Sequence, residues 1–148
     1  MNNELMQLYQ QLIIDHGTRP RNFGEIQPCS HHQEGYNPLC GDKLILYLDI
    51  KDQIIQNAMF SGEGCAISMA SASMMTGAIK GRHVEEVRTL FDQFHDLMMG
   101  EVDETEALGK LSVLEGVKNY PSRIKCATLS WHALKNILDG NKVIAKTE

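Results

Sequence analysis

Residues 43–80 read KLILYLDIKDQIIQNAMFSGEGCAISMASASMMTGAIK, and this stretch decides the fold class. Residues 43–50 and 54–60 are rich in Ile, Leu, Tyr and Phe, which is typical of β-strands. Only residues 51–53 separate the two segments, so we expect an antiparallel hairpin. Residues 66–80 are apolar on nearly every side of a helix, which predicts a central, buried helix that ends before Gly81.

Helical spacing of apolar residues continues on both sides of this stretch. We predict further helices over residues 4–15, 83–98, 107–118 and about 122–139, the last with Ser122 as its N-cap and Gly140 as its stop. Gly and Pro recur from Gly17 to Pro38, so we expect a loop there, and we expect the acidic stretch Glu101–Glu106 to be a solvated loop. The order of elements predicts an α+β fold, a small antiparallel sheet packed on several helices.

Length and composition limit the function classes. The 148 residues suffice for one domain, 1–148, with its own core. A net charge of −5 without a Lys/Arg stripe argues against nucleic-acid binding. No apolar run approaches the roughly 20 residues of a membrane span, and the start of the chain lacks the pattern of a signal peptide. We therefore expect a cytoplasmic protein with no membrane partner, whose thiols are reduced and not paired as disulfides.

Three of the four cysteines lie where regular elements are predicted to begin or end. Cys40 and Asp42 flank a glycine in a turn before the first strand, Cys65 follows a Gly-rich turn at a helix start, and Cys126 lies near the start of the last helix. Three sulfurs and one carboxylate can form a tetrahedral metal site, which favours zinc or iron–sulfur chemistry. The alternative is a set of buried thiols without metal, but the neighbouring Gly and charged residues oppose it.

The expected positions of these cysteines have electrostatic consequences. Cys65 and Cys126 are each expected in the first turn of a helix, where the helix dipole stabilises a thiolate. Three thiolates and one carboxylate with a divalent metal leave a charge of about −2, which is costly to bury alone. Arg123 and Lys125 flank Cys126 and can offset this charge, although a purely solvated role for each stays equally open.

Other possible ligands are weaker candidates. Cys29, His31 and His32 fall within five residues, but the loop around them looks mobile, so we do not expect a second metal site, and their role stays open. His132 is six residues after Cys126 and falls on another face of the helix. We therefore expect His132 to be exposed and not to bind the metal.

Three motifs carry a resemblance to a known family. They are Asn37–Asp42 (NPLCGD), Gly62–Ser68 (GEGCAIS) and Arg123–Trp131 (RIKCATLSW), preceded by Leu8-Tyr9, Asp15-His16 and Pro20-Arg21-Asn22. Over nearly its whole length the chain resembles the iron–sulfur cluster assembly proteins of the IscU/NifU family, which implies the IscU/NifU-like α+β fold. One departure is Gly17, where the family usually has an aromatic residue, so we expect the packing near the N-terminus to differ.

Within the family, the chain most resembles the SufU branch of Gram-positive bacteria. Scaffold-type members carry His immediately before the third Cys, where this chain has Lys125. SufU-like members carry an extra segment before that Cys, and residues of about 101–119 resemble it. This resemblance implies a zinc site made by Cys40, Asp42, Cys65 and Cys126.

The resemblance also implies an activity and partners. The chain would accept sulfur from a pyridoxal-phosphate cysteine desulfurase of the SufS type and pass it to a downstream Suf scaffold complex. A His of the desulfurase would replace one zinc ligand and release Cys40 to take the persulfide sulfur. Arg123 is expected to hold the released thiolate or to offset the excess charge of the site. The activity would be that of a zinc-dependent sulfurtransferase, a persulfide carrier.

Two other functions stay open. A scaffold that assembles a [2Fe–2S] cluster would use the same cysteines, so the ligands alone do not separate it from a sulfur carrier. Lys125 and the extra segment favour sulfur transfer. A purely structural zinc domain is disfavoured, because the apolar pattern suffices for folding and structural sites are usually closed by Cys and His.

Overall fold

The structure is a computed structural model and describes residues 3–100 and 106–147. The elements in chain order are α1 (Asn3–Thr18), β1 (His31–Asn37), β2 (Asp42–Lys51), β3 (Ile54–Glu63), α2 (Ala66–Ile79), α3 (Val84–Met98), a 3-10 segment (Glu106–Asn119), α4 (Pro121–Asp139) and β4 (Ala145–Lys146). The predicted α+β class is confirmed, as are the β2–β3 hairpin and the helices α1, α2, α3 and α4. The predicted acidic loop falls almost wholly on residues 101–105, which lie outside the described residues.

The described strands form one sheet in the order β3-β2-β1-β4. β2 pairs antiparallel with β3, with Leu46 opposite Phe60, and antiparallel with β1, with Leu44 opposite Gly35. The short β4 runs parallel to β1, so the sheet carries one parallel edge that the sequence did not predict. The prediction of a loop throughout residues 17–38 was wrong, since residues 31–37 form β1. The residues that β1 buries, Gln33, Gly35 and Asn37, give no apolar signal.

Helix α2 is central and buried, as predicted: all its residues from Ser68 to Thr76 are buried. It is tied to α4 through Ser71, whose hydroxyl accepts a hydrogen bond from Trp131 Nε1 at 3.2 Å and donates one to the carbonyl of Ala127. The Trp131 ring stacks on Phe94 of α3, with 4.4 Å between ring centroids. These contacts fix α4 against α2, and Cys126 immediately precedes the bonded Ala127.

Helix α1 packs closely on the start of α2, and Gly17 explains how. A Cβ at Gly17 would lie 2.7 Å from the carbonyl oxygen of Ala66, closer than real Cβ atoms come to backbone. The departure expected near the N-terminus is therefore a close contact between helices that only glycine allows. Helix α1 continues through Gly17 to Thr18, beyond the predicted end.

The helix predicted over 107–118 is present over Glu106–Asn119, but it is a 3-10 helix that breaks at Gly109 (φ 55°, ψ −126°). One local prediction was wrong. Helix α4 begins at Pro121 with Tyr120 as N-cap and no side-chain cap, so Ser122 is not the N-cap. Gly140 does end α4, in the left-handed conformation (φ 70°). Among the described residues, no helix is both long and apolar enough to span a membrane.

Candidate metal centre

Two thiols and a carboxylate converge where the start of β2 meets α2 and α4. The Sγ atoms of Cys40 and Cys126 are 3.3 Å apart, and together with a carboxylate oxygen of Asp42 they lie within 4.8 Å of one another. Gly41 adopts a left-handed conformation (φ 71°), which brings Cys40 and Asp42 into one tight turn. Cys40 is exposed, whereas Asp42 and Cys126 are 0% exposed.

The buried Asp42 carboxylate is held by two donors. Its Oδ1 accepts the backbone N–H of Cys65 at 2.8 Å, and its Oδ2 accepts Asn37 Nδ2 at 3.1 Å. A carboxylate has about four lone-pair sites, so it keeps the capacity for a metal bond. These two bonds fix its position before any ligand binds.

Cys65 is the N-cap of α2, which agrees with its predicted place at the start of a helix. Its Sγ accepts the backbone N–H of Ser68 at 3.4 Å. The Sγ atom lies outside the 4.8 Å group of Cys40, Asp42 and Cys126. Sulfur ligands of a tetrahedral zinc are about 3.8 Å apart for Zn–S bonds of about 2.3 Å, so the side chains have to draw closer together before Cys65 can become a fourth ligand.

Cys126 lies deeper in its helix than expected. It is the sixth residue of α4 and so belongs to the second turn, not the first. Burial above all raises the pKa of its thiol, and contacts with Cys40, Cys65 and Asp42 raise that pKa further. The predicted place of Cys126 in the first helical turn, on which the expected stabilisation by the helix dipole depended, is therefore wrong. A metal ion has to displace the thiol proton in order to bind.

Asn37 is a site residue whose role the sequence analysis missed. Its Nδ2 donates to Asp42 Oδ2 and lies 3.5 Å from the Sγ of Cys126, so it bridges β2 and α4. Its Oδ1 is buried and has no hydrogen-bond partner among the described residues. The available signal was its place at the head of the NPLCGD motif, but its strand was not recognised.

Arg123 and Lys125 are less closely associated with the site than their positions in the sequence suggest. The exposed Arg123 side chain lines an apolar groove of about 480 Å³ beside Tyr9, Ile67 and Tyr120. No hydrogen bond or ion pair joins it to the site residues in the part of the chain that the structure describes. Lys125 is half-buried. The role assigned to Arg123 stays a prediction.

The remaining candidates lie elsewhere. Among residues 3–100 and 106–147, only Cys40, Asp42 and Cys126 form a compact group of three metal-ligating side chains, and Cys29, His31 and His32 do not. The expectation that His132 is exposed was wrong, because its half-buried ring packs edge-on against Phe91 with 6.0 Å between centroids. Burial lowers the pKa of His132, and the neighbouring His95 and Lys135 lower it further.

The donor set fits a thiophilic metal. Two thiols and one fixed carboxylate already lie together, and a third thiol is close enough to contribute to the raised pKa of Cys126. Sulfur-rich tetrahedral sites favour zinc or iron–sulfur clusters over magnesium or calcium. The exposed Cys40 leaves one side of the site open to a second molecule.

Comparison with known proteins gives a consistent result. Residues 8–127 match the family described as the NifU-like N-terminal domain. The zinc-dependent sulfurtransferase SufU of Bacillus subtilis is 46% identical over 148 residues, which cover 99% of this chain and 96% of that protein. The iron–sulfur cluster assembly scaffold protein IscU of Thermotoga maritima is 36% identical over 131 residues, 88% of this chain and 92% of that protein.

A solved structure supports the same relationship. It is from Fervidobacterium islandicum and is designated an iron–sulfur cluster assembly scaffold protein for the SUF system. Its TM-score is 0.84 at 31% identity, covering 93% of this chain and 99% of that one.

Proposed function

Because the chain belongs to the family of NifU-like N-terminal domains, we propose that it is a zinc-dependent sulfur carrier in iron–sulfur cluster assembly. One observation supports this proposal above all. An exposed thiol, Cys40, sits 3.3 Å from a buried thiol, Cys126, beside a buried carboxylate. The buried groups can hold a metal while the exposed thiol stays within reach of a partner.

Cys40 is the acceptor in this proposal. Bound zinc would keep the site's thiols deprotonated at neutral pH. The Cys40 thiolate attacks the outer sulfur of a persulfide on a cysteine desulfurase of the SufS type. The sulfur–sulfur bond of the donor breaks, its electron pair leaves with the donor thiolate, and Cys40 becomes the persulfide. The transfer balances without an added oxidant or reductant.

The other residues have supporting roles. Asp42, Cys65 and Cys126 would keep the metal when Cys40 leaves it, since Asp42 and Cys126 are buried and Cys65 caps α2. Arg123 would hold the released thiolate, because it precedes Cys126 by three residues on one side of α4. The sulfur then passes to a downstream Suf scaffold complex in the cytoplasm.

Mass spectrometry tests this function directly. The zinc-loaded protein is incubated with a cysteine desulfurase and cysteine, with iron excluded. We expect one added sulfur on Cys40, and no added sulfur when zinc is stripped before the incubation. Cys40→Ser should abolish uptake, while Cys29→Ser, which changes a half-buried thiol outside the site, should not. Sulfur retained by Cys40→Ser would overturn the assigned role.

A scaffold for a [2Fe–2S] cluster is the second candidate. The relation to the IscU scaffold of Thermotoga maritima supports it, and the thiol-rich donor set suits the iron of a cluster as well as zinc. In that case no sulfur is acquired without iron, and the visible absorption of a cluster develops only when iron is supplied. The same incubation therefore separates the two functions.

A further inference from the structure

Two of the motif segments lie away from the candidate metal centre. His16, at the end of α1, and Arg21-Asn22, after it, line a pocket of about 640 Å³ against the second half of α2. Cys65 caps the other end of α2, and Lys80, which also lines the pocket, is about 20 Å from it along a helix that rises about 1.5 Å per residue. The sulfur chemistry proposed above gives this pocket no role.

The pocket is positively charged in an acidic protein. Arg21, Lys80, Arg82 and Lys110 all line it, and no Asp or Glu does so among the residues that the structure describes. The whole chain nevertheless carries a net charge of −5. Asp15 pairs with Arg21 from outside the lining, so the other three cations are without an acidic partner in the described parts of the chain.

Hydrogen bonds to the buried Ser73 hydroxyl orient His16 and the backbone of Arg21. The Ser73 hydroxyl, 1% exposed, accepts the backbone N–H of Arg21 at 2.8 Å and lies 2.7 Å from His16 Nδ1. Among the described residues Nδ1 is the only acceptor within hydrogen-bond distance of this hydroxyl, so Ser73 donates its proton to Nδ1, which leaves the His16 proton on Nε2. Burial lowers the pKa of His16 most, Arg21 and Lys110 lower it further, and Asp15 raises it. The net effect is a lowered pKa, so the ring is neutral near pH 7. His16 therefore offers an N–H donor.

Asn22 orients the Lys80 ammonium group. Asn22 has a left-handed backbone (φ 59°), donates from Nδ2 to Thr76 Oγ1 at 3.1 Å, and accepts the Lys80 ammonium on Oδ1. The Lys80 ammonium group therefore bonds to Asn22 and not to the last carbonyls of α2, with which a cation at the end of a helix commonly interacts. Lys110 follows Gly109, where the break in the 3-10 segment turns the chain.

We propose that this pocket binds a small molecule that carries phosphoryl groups. Its volume lies in the range of about 300–1,000 Å³ that is usual for small-ligand sites, and Met74 and Leu111 give it apolar walls. Arg and Lys together with neutral N–H donors are the groups that recognise phosphate oxygens. The concave shape favours a small anion over the flat contact of an acidic protein surface.

Calorimetry on the full-length, zinc-loaded protein tests this site, with inorganic pyrophosphate as the probe and citrate as a carboxylate comparison. We expect pyrophosphate to bind with a Kd below about 1 mM and more tightly than citrate. In amide NMR spectra, the shifts that change most should belong to Gly77 and Gly109. The double substitution Arg82→Gln/Lys110→Gln should weaken binding about tenfold or more.

The matched control is Lys51→Gln/Lys142→Gln, which removes the same charge outside this pocket. It should change the Kd less than about twofold. Zinc content and unfolding midpoint, unchanged in both variants, would show that each is folded. The proposal is overturned if pyrophosphate does not bind, if both variants weaken it equally, or if citrate binds as tightly.

Discussion

The substitution Gly64→Ala tests whether metal binding at the candidate centre depends on the fixed position of Asp42. Gly64 immediately precedes Cys65, and a Cβ there would lie 2.6 Å from Asp42 Oδ1 and 3.1 Å from its Cγ. Asp42 is fully buried between the Cys65 amide and Asn37. The carboxylate therefore cannot move aside without losing a hydrogen bond.

The size of the effect follows from the bond that breaks. A hydrogen bond to a charged group contributes about 1.5–3 kcal/mol, so the free energy of unfolding of the metal-free protein should fall by about that amount. In the proposed zinc site, binding would require the displaced carboxylate to return against the new methyl group. The free energy of zinc binding is then less favourable by a similar amount, which weakens the zinc affinity roughly 10- to 150-fold.

Two measurements check this prediction. Urea unfolding of the metal-free protein gives the stability, and competition with a chromophoric chelator gives the zinc affinity. Gly116→Ala is the matched control, because a Cβ there has no atom within 4 Å. In an Asp42→Gly background, Gly64→Ala should add little, since the clashing group is gone. Zinc affinity of Gly64→Ala equal to that of the control would refute the reasoning.

Three further predictions concern the same elements. Because the pKa of Cys126 is raised, zinc binding should release protons and weaken as the pH falls, which calorimetry in buffers of different ionisation enthalpy measures. Asn37→Ala should lower the free energy of unfolding by about 1–3 kcal/mol in urea, because it leaves Asp42 Oδ2 without its donor. The pKa of His132 is lowered from 6.5 on folding, so its contribution to stability is present above pH 6.5 and is lost as the pH falls through the folded value. His132→Phe should therefore reduce the loss of stability in urea between about pH 7.5 and 5, and an unchanged loss would contradict this reasoning.

The sequence predicted the elements whose signal is apolar and failed where the packing is polar or glycine-based. The hairpin and α2 bury long apolar runs, and both were predicted. Strand β1 buries Gln33, Gly35 and Asn37, and a Cβ at Gly35 would lie 3.2 Å from Leu129 of α4. The close packing of α4 on β1 therefore depends on the absence of a side chain at Gly35. The spacing of apolar residues in the sequence does not reveal such a contact.

The candidate site shows the same limit. The motifs identified Cys40, Asp42, Cys65 and Cys126, and the structure brings three of these together, but spacing alone did not show how each side chain is held. Asn37 joins the site only because β1 pairs with β2 in a register that sets it opposite Asp42. Cys126 is buried where α4 packs against α2, a contact to which the bond between Trp131 and Ser71 contributes.

The site combines one exposed thiol with fixed, buried partners, and this asymmetry bears on the proposed transfer. Asp42 is held by β1 and by the amide of Cys65 at the start of α2, and Cys126 is held by a helix whose contacts make up much of the core. Cys40 lies in an exposed turn, next to a glycine with no atom near its missing Cβ. Its thiol can therefore change partners with little disturbance to the core. In a scaffold that holds a cluster, an exposed ligand that exchanges easily would instead shorten the life of the cluster, so the rate at which Cys40 exchanges in solution distinguishes the two functions.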